Sequence, residues 1–179
     1  IKADLQFGKL RVNTLLSRQE SEARTVDHLP LLAQSAPGTI LVLDHLGKPP
    51  LEALRRNGVR DPEWQRWRAG LAAAAQYPNV FAKVSGINTT LGPDWSPADL
   101  QPALDWALDQ FGPERLLLGS DWPVATLASP NYEHAFGPLA TWAQSLEGSA
   151  AESLSWRTAT RAYPRLGDYL DLPTIPTRK

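Results

Sequence analysis

Cysteine and methionine are both absent from this 179-residue chain, which has only three histidines and five lysines. Without cysteine there can be no disulfide framework and no thiolate metal site. Any metal must therefore sit on His, Asp or Glu. No apolar run approaches the ~18 residues a membrane span needs. The N-terminal Ile1-Lys2-Ala3-Asp4 lacks the hydrophobic stretch of a secretory signal, so a cytoplasmic chain is expected. An excess of positive charge is missing too: 18 basic side chains stand against 19 acidic ones, a net charge of −1. Nucleic acid is thus not the default partner. A chain without Met that starts at Ile1 reads as a processed or trimmed product or as a piece of a longer protein, and the last is favoured below.

What is present is an alternation of apolar runs and amphipathic stretches. Asp27 is placed to cap a helix carrying Leu29, Leu31 and Leu32, which Pro37-Gly38 ends. Thr39-Ile40-Leu41-Val42-Leu43 follows, a run of branched residues without alternation, as in a strand buried on both faces. The same grammar returns twice. Asp61-Pro62-Glu63 opens a helix through Trp64, Trp67, Leu71 and Ala75, and the strand Val80–Val84 follows. Ser96-Pro97-Ala98-Asp99 opens another through Leu100, Leu104, Leu108 and Phe111, then the strand Arg115–Leu118. Two more helices close the chain, about 132–146 and about 150–163, the second behind a Ser149-x-x-Glu152 capping box. Asp4–Phe7 reads as a further short strand and Leu172–Lys179 as a loose tail. The pattern predicts an α/β fold with parallel strands and alternating helices, in a single domain over residues 1–179.

Each of the three apolar strands ends in a polar cluster: Asp44/His45/Lys48, Ser85/Asn88 and Ser120/Asp121/Trp122. Parallel α/β folds bind ligands at that end of their strands, so the clusters should converge. His45 is either a histidine satisfied by a loop carbonyl or a neutral imidazole that binds a metal or polarises a carbonyl. Because adjacent strand residues alternate, His45 is expected to point inward and Asp44 outward. Asp121 is either a cap for the next segment or a general base or metal ligand, since a carboxylate at a buried strand mouth must be paired, hydrogen-bonded or metal-bound. Trp122-Pro123 would wall the pocket. Lys83, inside an apolar strand, should pair with a carboxylate or reach the pocket rim. His28 and His134 read as surface or capping residues, and most of the seven tryptophans as helix packing. There is no Gly-x-Ser-x-Gly elbow, phosphate loop or Gly-x-Gly-x-x-Gly fingerprint.

Three segments occur in order: Val42-Leu43-Asp44-His45-Leu46-Gly47-Lys48-Pro49, Pro78-Asn79-Val80-Phe81-Ala82-Lys83-Val84-Ser85-Gly86, and Phe111-Gly112-Pro113-Glu114-Arg115-Leu116-Leu117-Leu118-Gly119-Ser120-Asp121-Trp122-Pro123-Val124. Together they resemble the amidohydrolase-related TIM-barrel hydrolases that include sugar lactonases of the fuconolactonase type and dicarboxylate lactonases. The resemblance covers roughly residues 26–166, and residues 1–25 match poorly. It implies a (β/α)8 barrel of which this chain is the C-terminal portion, a partial barrel, since a full one takes about 250 residues. It implies Asp121 as base or ligand for the hydrolytic water and His45 as the residue that binds a metal or polarises the substrate carbonyl. The family's first-strand His-x-His pair has no counterpart here.

The reading is a hydrolase that opens a small sugar or carboxylate lactone with activated water. Asp121 and His45 are the catalytic candidates and the metal ligands, and Lys48, Ser85 and Trp122 contact the substrate. A divalent metal, Zn or Mn, is a candidate cofactor and a homo-oligomer a candidate assembly; the partner is a small molecule. Two alternatives stand beside it: a non-oxidative decarboxylase on the same barrel, and an inactive half-barrel that needs a partner chain.

Overall fold

Three short parallel strands lie side by side in chain order, and the computed structural model describes residues 25–169 around them. The elements are α1 (Thr25–Ser35), β1 (Leu41–Leu43), α2 (Leu51–Asn57), α3 (Pro62–Ala75), β2 (Val80–Val84), α4 (Pro97–Phe111), β3 (Leu116–Leu118), α5 (Tyr132–Gln144), α6 (Ala150–Glu152) and α7 (Thr158–Ala162). A π turn, Ser153–Arg157, joins the last two. The predicted Asp4–Phe7 strand and the C-terminal tail lie outside the described residues. Among the described residues no helix is long and apolar enough to cross a membrane.

The sheet is parallel throughout: Val42 lies opposite Phe81, and Lys83 opposite Leu117. Two of the expected strands begin later than their apolar runs, and each has a local cause. The Asn79 side chain donates to the carbonyls of Ala36 and Thr39, and ladder bonding starts only at Leu41, whose N–H reaches Asn79 O at 2.9 Å. Arg115 sits in a 3-10 turn before β3, its guanidinium bonded to Tyr77 O at 3.0 Å.

The helix starts follow their caps. The Asp61 carboxylate accepts from Glu63 N at 2.8 Å and Trp64 N at 3.0 Å, with Pro62 at the first helical position. Asp99 closes the α4 box by accepting the Ser96 N–H at 2.7 Å. Two caps differ from expectation. Asp27 lies inside the first turn of α1 instead of before it. Its neighbour Val26 is fully buried, and the space around that side chain exists because Gly47 and Gly70 lack one: a Cβ there would meet Val26 at 2.5 Å and 2.8 Å. Ser149 has helical dihedrals and makes no capping bond, while Glu152 turns to Arg157 at 2.7 Å, so no capping box forms.

Val80, Ala82, Val84, Leu43 and Leu116 face one side of the sheet, in a single core with Trp67 and Leu71 of α3 and Leu100 and Leu104 of α4. Each buried Val or Leu among them contributes about 1.5–3 kcal/mol. Trp64 and Trp67 stack at 4.8 Å between centroids. The other side carries a smaller apolar set, Val42, Phe81 and Leu117, packed on Ala159 and Ala162 of α7. Further along that second side, Lys83 and Ser85 continue the alternation of β2 toward the strand ends.

Candidate active site

Beyond β1 the chain cannot stay extended, because Gly47-Lys48-Pro49-Pro50 must turn it into α2. It does so through a tight turn, Asp44–Gly47, with His45 at φ 55° and Leu46 at φ 52°. Trp67 Nε1 donates to Leu46 O at 2.8 Å, which ties the turn to α3. Among the described residues, the non-glycine positions with left-handed backbone are His45, Leu46, Lys48 and Asp121. Such conformations cost about 1–3 kcal/mol each and persist where the surroundings impose them, often at functional sites. Here they share one corner of the molecule.

The turn brings together His45, Lys48, Ser85 and Asp121. His45 Nδ1 and the Ser85 hydroxyl are 2.9 Å apart, and Nδ1 is 3.6 Å from Asp121 Oδ2. Lys48 Nζ donates to Gly86 O at 3.2 Å and Thr89 Oγ1 at 2.7 Å, and stands 3.9 Å from the same Asp121 oxygen. Asp121 Oδ2 is buried and has no hydrogen-bond partner among the described residues. It fits only because residue 86 is glycine: a Cβ there would lie 1.9 Å from Oδ2, and Gly86 itself has φ 55°. Burial, helped by the Lys48 charge, pulls the His45 pKa below 6.5 against the opposing pull of Asp121 and Asp44. The imidazole is therefore neutral at neutral pH.

Several expected positions read differently in space. Ser85 is 1% exposed, with its hydroxyl 2.9 Å from His45 Nδ1. Trp122 is 65% exposed. Asp44 does not turn away: it follows the strand alternation onto the face of Lys83 and pairs with it, while the left-handed turn swings His45 back over the strand ends to the same side. The alternation rule for His45 and Asp44 fails because the strand stops at Leu43. Asn88 donates to Ala125 O at 2.8 Å and Ser129 Oγ at 3.1 Å, pinning the loop after Asp121 to the loop after β2. His28 is exposed, as expected. The ring of His134 packs edge-on against Trp95 at 4.7 Å. A groove of about 460 Å³ beside those rings, lined also by Asn131 and Glu133, touches none of the candidate residues. Sequence reasoning missed Gly86 and Thr89 as parts of this corner, and it turned Asp44, a member of the first polar cluster, outward. Only for Asp44 was there a signal, its place two residues after Val42 on the same strand face.

Tetrahedral zinc with donors at about 2.0–2.2 Å separates two of them by about 3.3–3.6 Å. The 3.6 Å between His45 Nδ1 and Asp121 Oδ2 suits two such donors. Among the described residues, however, no group of three His, Asp or Glu side chains comes together. A catalytic zinc needs three protein ligands, so these residues alone do not complete a metal centre.

A family model described as amidohydrolase matches residues 16–165. The chain belongs to the amidohydrolase family. An L-fucono-1,5-lactonase of Burkholderia multivorans is 43% identical over 131 residues, which are 69% of this chain and 42% of that protein. An L-fucono-1,5-lactonase of Burkholderia ambifaria is 35% identical over 121 residues, 66% of this chain and 37% of that one. Among solved structures, an amidohydrolase from Burkholderia multivorans with bound Zn superimposes with a TM-score of 0.68 at 34% identity, covering 79% of this chain and 50% of that chain. This chain thus spans about half the length of its relatives or less. Its parallel strands and alternating helices are part of an amidohydrolase TIM barrel.

Proposed function

We propose that the whole protein of this amidohydrolase hydrolyses a sugar lactone, with Asp121 as general base and His45 as the group that polarises the carbonyl. One observation carries the reading: the buried Asp121 Oδ2, which lacks a hydrogen-bond partner among the described residues, faces a neutral histidine and an anchored ammonium at the strand mouths. A carboxylate so placed costs free energy that a substrate water can recover by donating to it. The L-fucono-1,5-lactonases of the two Burkholderia species support the choice of substrate class.

The steps balance without any further reactant. Water attacks the lactone carbonyl carbon and gives one proton to Asp121. The Ser85 hydroxyl, donating to His45 Nδ1, places the ring proton on Nε2, where it can donate to the carbonyl oxygen as negative charge develops there. The tetrahedral adduct then collapses, the ring C–O bond breaks, and the departing oxygen takes the proton from Asp121. Lys48 binds substrate beside Asp121. Trp122 offers the sugar ring an exposed apolar face at the mouth. A divalent cation, Zn or Mn, would take His45 and Asp121 as two of its ligands with the remainder from outside the described residues, and would supply Lewis-acid activation of the water.

The test is acid release by the purified protein on L-fucono-1,5-lactone and other sugar lactones, with and without added Zn2+ or Mn2+, beside Asp121→Asn. Hydrolysis that this substitution abolishes supports the reading. Evolution of CO2 in place of a lactone-derived acid, or hydrolysis that survives the substitution, sinks it.

A further inference from the structure

The face of β2 that ends at Ser85 carries a second pair of charged groups, and no step of lactone opening uses them. Lys83 lies two residues before Ser85 on the same face, and Asp44 immediately precedes His45. The two are joined by a direct hydrogen bond between Lys83 Nζ and Asp44 Oδ1. The Lys83 stem runs alongside Gly119 of the chain leaving β3, where a Cβ would come within 3.3 Å of the lysine Cδ and 3.4 Å of Ser85 Cβ. The pair therefore stands between two strands that deliver His45 and Asp121, and on their side of the sheet.

A purely structural role accounts poorly for it. A charge pair at a sheet surface is seldom worth more than an apolar pair of the same size. Moreover, this one is open: the Asp44 side chain is 57% exposed and that of Lys83 27%. A carboxylate accepts up to about four hydrogen bonds and an ammonium donates three, so their mutual contact and the Tyr163 hydroxyl beside Lys83 still leave part of that capacity to another group. An acceptor-only group beside a donor-only group is the pattern that neighbouring hydroxyls of a sugar can satisfy, since each hydroxyl both donates and accepts. Both charges also act on His45 through space, Asp44 raising and Lys83 lowering its pKa, which agrees with their lying close to the ring.

We propose that Asp44 and Lys83 form a hydroxyl-binding subsite that holds adjacent hydroxyls of a polyhydroxylated lactone ring while its carbonyl lies at His45 and Asp121. This rests on the lactone reading for the catalytic half of the site and adds the group that recognises the rest of the substrate.

The experiment compares L-fucono-1,5-lactone with δ-valerolactone, the same six-membered ring without hydroxyls, in the wild type, Asp44→Asn and Lys83→Gln. The expected result is a 10- to 100-fold fall in the ratio of kcat/KM for the hydroxylated over the plain lactone, the size of a hydrogen bond to a charged group. A ratio that does not move, through no loss or equal loss on both lactones, overturns the subsite. Calorimetric binding of L-fucose, which has the hydroxyls and no lactone, separates this from failure of the catalytic reading. If the wild type hydrolyses neither lactone yet binds L-fucose, and either substitution abolishes that binding, the lactone reading fails and the subsite stands. If the wild type binds no L-fucose and hydrolyses neither lactone, the subsite is wrong. Gly119→Ala, which crowds the Lys83 stem without touching its charge, should move the ratio the same way; an unchanged ratio there also counts against the proposal.

Discussion

Successive side chains of β2 enter two different environments. Val80, Ala82 and Val84 are fully buried in the core with α3 and α4, whereas Phe81, Lys83 and Ser85 pass from an apolar patch to a charge pair to a hydroxyl behind His45. The first side shows what holds this part of the barrel together, and its residues can be read as volume. The second becomes more polar toward the strand ends, and its residues have to be read one at a time. The division follows from strand geometry: a period of two lets one strand serve packing and chemistry without compromise between them.

If that division is real, a change on one side should leave the other untouched. The largest effect is expected from Asp121→Asn, a loss of about 10²–10⁴-fold in kcat for the whole protein with little change in thermal midpoint, followed by steady-state assay and calorimetry together. Gly86→Ala should approach that loss, because the added Cβ would displace the Asp121 carboxylate. Equal activity in the alanine variant would show that Asp121 need not sit where it does.

On the packing side, Trp67→Ala should cost about 3–5 kcal/mol of unfolding free energy in urea melts. It is also the sharper test of separation, since the Trp67 N–H holds the turn that carries His45. If a replacement that keeps an aromatic ring but removes the N–H, Trp67→Phe, lowers kcat/KM more than stability, the two sides are coupled through Leu46 O.

A smaller effect concerns pH. The folded-state pKa of His45 is below its unfolded value near 6.5. Between the two values the unfolded chain binds more protons, so this residue's contribution to stability is present above about pH 6.5 and is lost as pH falls toward the folded value. The rate should hold through that window and fall only as pH drops through the folded value, where the ring becomes charged; a kcat/KM that already halves at about pH 6.5 or above would count against a neutral His45 in the reaction. The smallest effect is expected at the α3 cap. Asn57 and the backbone N–H groups of Trp64 and Glu63 hold the Asp61 carboxyl below the usual carboxylate range. Its contribution is present above its unfolded pKa and disappears as pH falls through the folded one. Asp61→Ala should therefore lower the thermal midpoint at pH 7 and make no difference in strong acid.

How much of this was legible beforehand varies with the range of the interaction. The β2 boundaries, the caps at Asp61 and Ser96, and the convergence of His45, Lys48, Ser85 and Asp121 follow from local rules: hydrophobic runs, capping chemistry and the polar ends of parallel strands. Where those rules failed, a contact outside their pattern decided. Ser149 lost its box to the Glu152–Arg157 pair, and Asp27 was drawn into its helix, beside Val26, which is wedged between Gly47 and Gly70. The contact of Ser85 with the His45 ring is of the same kind, since it cannot be read until the ring has been placed.

Taken by itself, the sequence determined the alternation of strand and helix, the residue types available for chemistry and, through three ordered motifs, the family. It could do so because hydrophobic period, caps and motifs are encoded within about a dozen neighbouring residues. The tertiary structure alone decided which polar atoms meet. Asp121 Oδ2 lies against Gly86, His45 turns back through a left-handed bend, and Asp44 joins Lys83 on the same side. The first and last of these contacts join residues 35 and 39 positions apart, and the bend sets His45 beside Ser85, 40 positions away. Only the packing of the sheet against its helices fixes such distances, and on them the chemistry at the strand mouths depends.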